Sequence, residues 1–152
     1  MAQGGRKVVI GVDESAFSEQ AFSFYVENFH KDDDIVYLVH TPERYNFVDA
    51  NLGTPVERPN VHRELLDEIK QKVEAVEEKY NRKVEEKGVK HAKFLKKHGD
   101  PGEAIVAVAE KEHASLIVTG CRGMGLLRRT FLGSVSDYVI HHAHCPVLVC
   151  RK

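Results

Sequence analysis

The residues whose types and spacing could do chemistry are concentrated between Gly120 and Ser136. They are Gly120, Gly123, Gly125 and Gly133, the arginines Arg122, Arg128 and Arg129, and the hydroxyls of Ser134 and Ser136. An apolar run, Leu116-Ile117-Val118, leads into this stretch, and a helical pattern from Val135 to His142 leads out. A glycine-rich loop between a buried strand and a helix start is suited to holding phosphate. Glycine lets the backbone approach closely, and the N–H groups of the first helical turn face the anion. Each serine also has a plainer reading as a helix cap, worth ~1 kcal/mol. Gly125 reads as a turn residue. Arg128 and Arg129 could reach phosphate or stand as a solvated pair.

Other chemistry is less well supported by spacing. The densest group among nine histidines is His141, His142 and His144 beside Cys145. At a helix end these do not converge on one tetrahedral point, and histidine near a helix C-terminus has a dipole explanation. His40 reads as a satisfied strand-end residue. Cys121 lies in the glycine stretch, where a neighbouring arginine alone is a weak sign of a reactive thiol. Cys145 and Cys150 stand at the two ends of one expected strand, too far apart to bridge. Three cysteines without framework spacing fit a reduced, cytoplasmic setting.

The elements that must position the loop alternate along the chain. Lys7 to Val12 is a short β-branched run, a buried strand ended by Asp13-Glu14-Ser15, where Asp13 or Ser15 can cap a helix. In that helix Phe17, Ala21, Phe24 or Tyr25, and Phe29 form the expected apolar stripe. Ile35 to His40 is a second buried strand, stopped at Thr41-Pro42. Residues 43–59 form a long loop. A long helix from about Asn60 to Lys87 follows, with Val61, Leu65, Ile69, Val73, Val76, Tyr80 and Val84 on one stripe and Gly88 as its stop. Its charged faces read as solvated. Val89 to His98 is expected as an edge strand. Asp100 and Glu103 at capping-box spacing, with Pro101 between them, open a third helix whose Ala104, Ile105, Val108 and Ala109 face inward. Leu116 to Thr119, the helix from Ser134 to His142 and a strand from Cys145 to Cys150 complete the order.

This β-α alternation implies a single α/β domain over residues 1–152: a mostly parallel, twisted open sheet with helices on both faces and right-handed crossovers. Ligands of such sheets sit at the carboxyl ends of the strands, where strand order reverses. Asp13 follows the first strand, Thr41 the second and Gly120 the fourth. With the first strand central, the Asp13 and Gly120 loops flank one crevice.

Gly120, Gly123 and, after nine residues, Gly133-Ser134 match G-x2-G-x9-G-S/T. This resembles the ATP-binding signature of the universal stress protein family. Gly11-Val12-Asp13-Glu14-Ser15, Gly99-Asp100-Pro101 and Cys145-Pro146-Val147-Leu148-Val149 are similar to that family too, so the resemblance covers essentially the whole chain. It implies a Rossmann-like five-stranded parallel sheet of order 3-2-1-4-5 and a homodimer built through the last strand. It implies ATP as ligand, with or without Mg2+. Asp13 would stand beside the ribose, and Val12 and Thr41 would line the adenine pocket through backbone and apolar contact. Thr119, Gly120, Arg122 and Gly123 would wrap ribose and phosphates, and Gly133, Ser134, Val135 and Ser136 would receive the phosphates.

Hydrolysis of ATP needs a positioned nucleophile, usually a metal, and charge stabilisation at the γ-phosphate. The chain has no G-x4-G-K-S/T, no acidic pair closing a strand and no HxGH. Where related folds carry SGGxDS it has Asp13-Glu14-Ser15-Ala16-Phe17-Ser18. The reading is a stress-response regulatory protein that binds ATP and hydrolyses it slowly at most. The alternatives are an ATP-dependent or autophosphorylating enzyme, or a dimer that binds proteins without nucleotide. A formal net charge of −1 over 152 residues creates no field for nucleic acid or an anionic membrane. No apolar run reaches the ~18 residues of a membrane span, and the first residues lack a secretory signal.

Overall fold

The computed structural model describes residues 4–42, 59–121 and 133–151, with side chains for all of these except 59–62. Among the described residues nine elements alternate: β1 (Lys7–Gly11), α1 (Ala16–Asn28), β2 (Ile35–His40), α2 (Pro59–Glu86), β3 (Ala92–Lys96), α3 (Pro101–Glu112), β4 (Leu116–Gly120), α4 (Ser134–His142) and β5 (Val147–Cys150). The strands form one parallel sheet in the order β3-β2-β1-β4-β5. The chain winds outward from β1 through β2 to β3, then crosses to β4 and continues to β5. Strand order therefore reverses between β1 and β4.

Consecutive strand residues point to opposite faces, and both faces of the central strands are buried. Val8 and Ile10 join Phe22, Tyr25, Val76 and Tyr80 in the layer under α1 and α2. Val9 and Ile117 join Ile105, Val108 and Val139 in the layer under α3 and α4. Each fully buried aliphatic or aromatic side chain of this kind contributes about 1.5–3 kcal/mol. Phe22 and Tyr80 meet edge to face at 5.7 Å, joining α1 to α2.

Local signals explain most boundaries. Ser15 caps α1, accepting from the Ser18 N–H, and Asp100 caps α3, accepting from Glu103 N–H at 3.2 Å with Pro101 in the first turn. The stripe expected on α2 is buried at Val73, Val76 and Tyr80. β3 is an edge strand, shorter than expected. β5 begins at Val147 because Pro146 can accept from Ile117 N–H but has no N–H to donate.

Of the stripe expected on α1, Ala21 and Tyr25 face inward, whereas Phe17, Phe24 and Phe29 do not, a difference of about one residue of rotation. The helix buries Ser18, Ala21, Phe22 and Tyr25, while Phe24 and Phe29 are 44% and 43% exposed. Their rings pack on each other at 5.9 Å. Phe17 is only half-buried. The inward face is chosen by Ser18, whose hydroxyl bonds the backbone at Asp13, so the buried side of the helix includes a polar residue that apolar periodicity passes over.

At the amino ends of the strands, Asp34 is fully buried. It accepts from Arg6 Nε at 2.9 Å, Arg6 Nη2 at 2.7 Å, the Tyr25 hydroxyl at 2.6 Å and the Lys31 N–H at 3.0 Å. Burial by itself would raise the Asp34 pKa, but these donors outweigh it and hold the carboxyl below the usual range. Burial first, and then the Asp34 carboxylate, push the Tyr25 phenol up. This knot ties the start of β1, the end of α1 and the start of β2 together, at the opposite end of the sheet from the crevice.

Candidate functional site

At the carboxyl ends of β1, β2 and β4 lies a cavity of about 490 Å³, closed on one side by α2 and on the others by the starts of α1, α3 and α4. Its size is that of a small-molecule site. The described candidates Val12, Asp13, Thr41, Thr119, Gly120, Gly133, Ser134, Val135 and Ser136 all line it. Arg122 and Gly123 lie outside the described residues, as do Gly125, Arg128 and Arg129.

Asp13 sits where β1 turns into α1. Its Oδ1 accepts from the Ser15 N–H at 2.8 Å and from the Ser15 hydroxyl. Its own N–H donates to Ser18 Oγ at 3.1 Å, and its carbonyl accepts from the Ser18 hydroxyl at 3.0 Å. Side chain and backbone are thus both held by α1. Val12 is tied to β2: its N–H donates to Val39 O, and its carbonyl accepts from His40 Nδ1, both at 2.9 Å. Both backbone groups of Val12 are therefore engaged with β2, and what it presents to the cavity is apolar surface. His40 is buried and satisfied, its ring against Phe94. The requirement that Nδ1 donate to a carbonyl sets its tautomer.

Gly120 ends β4. A Cβ there would stand 2.5 Å from the Phe17 carbonyl oxygen, so the missing side chain is what allows β4 and the start of α1 to meet. The Gly120 carbonyl accepts from the Ser136 hydroxyl at 3.2 Å and from the Thr119 hydroxyl at 3.3 Å. Ser136 is buried, and its hydroxyl joins the first turn of α4 to the end of β4.

Three helix starts meet at this cavity, and they differ. α1 and α3 are closed by the side chains of Ser15 and Asp100. α4 begins at Gly133, with φ 84° and ψ 153°, and among the described residues no side chain caps it. That positive φ suits glycine. The first intrahelical bond of α4 runs from Asp137 N–H to Gly133 O. The N–H groups of Ser134, Val135 and Ser136 therefore lack an intrahelical acceptor and lie at the positive end of the helix dipole. An anion fits there. Opposite, Asp13 offers a carboxylate suited to hydroxyl donors. Ile69, Val73 and Val76 of α2 line an apolar wall, and Lys72 stands beside them.

Ser18, which lines the cavity, was not singled out by the sequence, nor was the Tyr80 hydroxyl behind it. Ser18 Oγ lies within a short hydrogen bond, 2.5 Å, of Tyr80 OH on α2. Burial pushes the Tyr80 phenol up, and the Asp13 and Glu19 carboxylates add to it, so Tyr80 is a hydroxyl donor at neutral pH. Tyr80 was legible only as one of a helical stripe.

The histidine cluster turns back on its own surroundings. His141 and His142 donate through Nδ1 to Asp137 O and Tyr138 O, and His144 pairs with Glu110 at 2.8 Å. Among the described residues no group of three or more His, Cys, Asp or Glu is placed to hold a metal ion. None of the cysteines forms a disulfide. Burial pushes the Cys145 and Cys150 thiols up. No helix among the described residues is long and apolar enough to cross a membrane.

A parallel sheet of this order, with its cavity at the point of strand reversal, defines an open Rossmann-like α/β protein. The model of the universal stress protein family matches residues 5–151, and the chain belongs to that family. The Methanocaldococcus jannaschii protein described as universal stress protein MJ0531 is 38% identical over 149 residues, covering 97% of this chain and 82% of the relative. An Arabidopsis thaliana universal stress protein family structure with AMP bound superposes with a TM-score of 0.69 at 23% identity, over 97% of this chain and 92% of that one. A universal stress protein in complex with cAMP also gives 0.69, at 20% identity, over 97% and 98%. At these identities the two structures establish the fold.

Proposed function

We propose that this chain is an ATP-binding regulatory protein of the stress response, holding the nucleotide in the cavity at the ends of β1 and β4. The observation that carries the reading is the uncapped start of α4 facing the cavity, where α1 and α3 present capped ones. The triphosphate lies against the N–H groups of Ser134, Val135 and Ser136, with Arg122 and Gly123 of the glycine motif as further contacts, with or without Mg2+. The ribose hydroxyls donate to Asp13. The adenine lies against Val12 and Thr41. The glycine spacing supports ATP, and the AMP and cAMP held by two proteins of the same fold support an adenine nucleotide. Lacking a P-loop lysine, the chain holds ATP and hydrolyses it slowly at most.

It acts as a cytoplasmic homodimer. β5 lies at the edge of the sheet, half-buried along its length, and a second copy of β5 covers it. Bound ATP stabilises the state that binds it. Native mass spectrometry of freshly purified protein, followed by calorimetry with ATP, tests both parts. A dimer mass with retained adenine nucleotide is expected. A protein that neither retains nor takes up ATP at millimolar concentration would overturn the reading.

A further inference from the structure

We infer that Tyr80, on α2, is a positioning residue for the nucleotide site, acting through Ser18 to hold Asp13 in its binding conformation. The inference rests on the reading of the cavity as an ATP site. Tyr80 is fully buried and 62 residues from Ser18 in sequence, yet their hydroxyl oxygens are 2.5 Å apart. The single Ser18 proton has two carbonyl acceptors in reach, Asp13 O at 3.0 Å and Ser15 O at 3.4 Å, and a carbonyl cannot donate in return. We therefore assign that proton to the nearer carbonyl and make Tyr80 the donor, so that Ser18 Oγ accepts from Tyr80 and from the Asp13 N–H at 3.1 Å. One serine hydroxyl grips both backbone groups of the ribose-facing residue, and Tyr80 supplies a further bond that orients it.

The geometry around the pair keeps it in place. Phe22 holds the Tyr80 ring edge to face, and Lys79 and Lys83 of α2 both pair with Glu19, next to Ser18. The docking of α2 on α1 thus delivers the phenol to Ser18. Removing only the Tyr80 hydroxyl leaves the ring packing intact and releases one bond on Ser18, so the Asp13 turn loosens while the core stays filled.

The test is a double-mutant cycle of ATP affinity by calorimetry on native chain, Tyr80→Phe, Asp13→Asn and the pair, with thermal melts and amide exchange of the Asp13 N–H. Tyr80→Phe is expected to weaken ATP about 3- to 10-fold in the native background, the worth of one hydrogen bond. It should have no effect beyond error in the Asp13→Asn background, and it should speed Asp13 amide exchange without nucleotide. Equal weakening in both backgrounds would make Tyr80 a packing residue and overturn the inference. So would unchanged affinity and exchange in a Tyr80→Phe protein that melts cooperatively. Should Tyr80→Phe not fold, Ser18→Ala enters the same cycle with the same expected pattern. If the native chain bound no ATP, the functional reading itself would fall, and this inference with it; unchanged Tyr80→Phe affinity in a chain that binds ATP would sink the inference alone.

Discussion

The Ser136 hydroxyl, in the first turn of α4, donates to the Gly120 carbonyl at the end of β4 over 3.2 Å. This bond joins the two ends of the glycine-rich stretch, and it sets where the α4 N–H groups point relative to β4. Ser136 is buried, and the bond lies at the wall of the cavity. Ser136→Ala should lower stability by about 1 kcal/mol and weaken ATP. Gly120→Ala should destabilise by about 1–3 kcal/mol, because its Cβ meets backbone rather than a movable side chain. Urea melts check both; a Gly120→Ala protein as stable as the native chain would contradict the close approach of β4 and α1.

Ser134 is exposed at the first position of α4. Ser134→Asp puts a carboxylate at the positive end of the helix dipole, which should stabilise the ligand-free protein by about 0.3–1 kcal/mol. The same charge repels phosphate, so ATP affinity should fall. Opposite signs in the thermal melt and in calorimetry are the expected pattern. A variant that keeps ATP affinity would remove the phosphates from the α4 start.

Arg6 and Asp34 form a charge pair with the carboxylate fully buried. Arg6→Met leaves that carboxylate without its charged partner and should destabilise by about 3 kcal/mol. The native Asp34 pKa is held below its unfolded value of ~3.9. The unfolded chain then takes up the proton first as pH falls. The stabilisation is complete above pH ~4 and is lost on acidification through the lower, folded value. Urea melts from pH 3 to 7 should show this acid loss in the native chain and less of it in Arg6→Met.

β5 pairs with β4 through the carbonyls of Pro146 and Cys150, which accept from Ile117 and Cys121 N–H. In a parallel ladder the groups of Val147 and Val149 face the other way, off the edge of the sheet. Val149→Pro should therefore leave the fold standing and cut dimerisation. Sedimentation of a folded variant that remains fully dimeric would sink the terminal-strand interface.

The legible part of this protein is the part written in local signals. β-branched runs mark the strands, Ser15 and Asp100 mark helix starts, and the glycine spacing marks the α4 start. The strand order followed from family resemblance rather than from periodicity. The rotation of α1 was not legible, since Phe17, Phe24 and Phe29 are at plausible spacing and the inward position is taken by a serine. The engagement of the Ser136 hydroxyl was hidden as well, because its acceptor lies 16 residues earlier on a neighbouring strand.

Sequence by itself determined the alternation of elements, the family and the glycine spacing that ends at the start of α4, because periodicity, caps and glycine spacing act within a few residues of one another. Only the tertiary structure decided which of the helix starts at the cavity has no side-chain cap among the described residues. It also decided that Ser18, which bonds both backbone groups of Asp13, meets Tyr80 of α2. The Ser18–Tyr80 bond needs two helices packed on the same face of the sheet, and no pattern along the chain encodes a 2.5 Å approach between residues 62 apart.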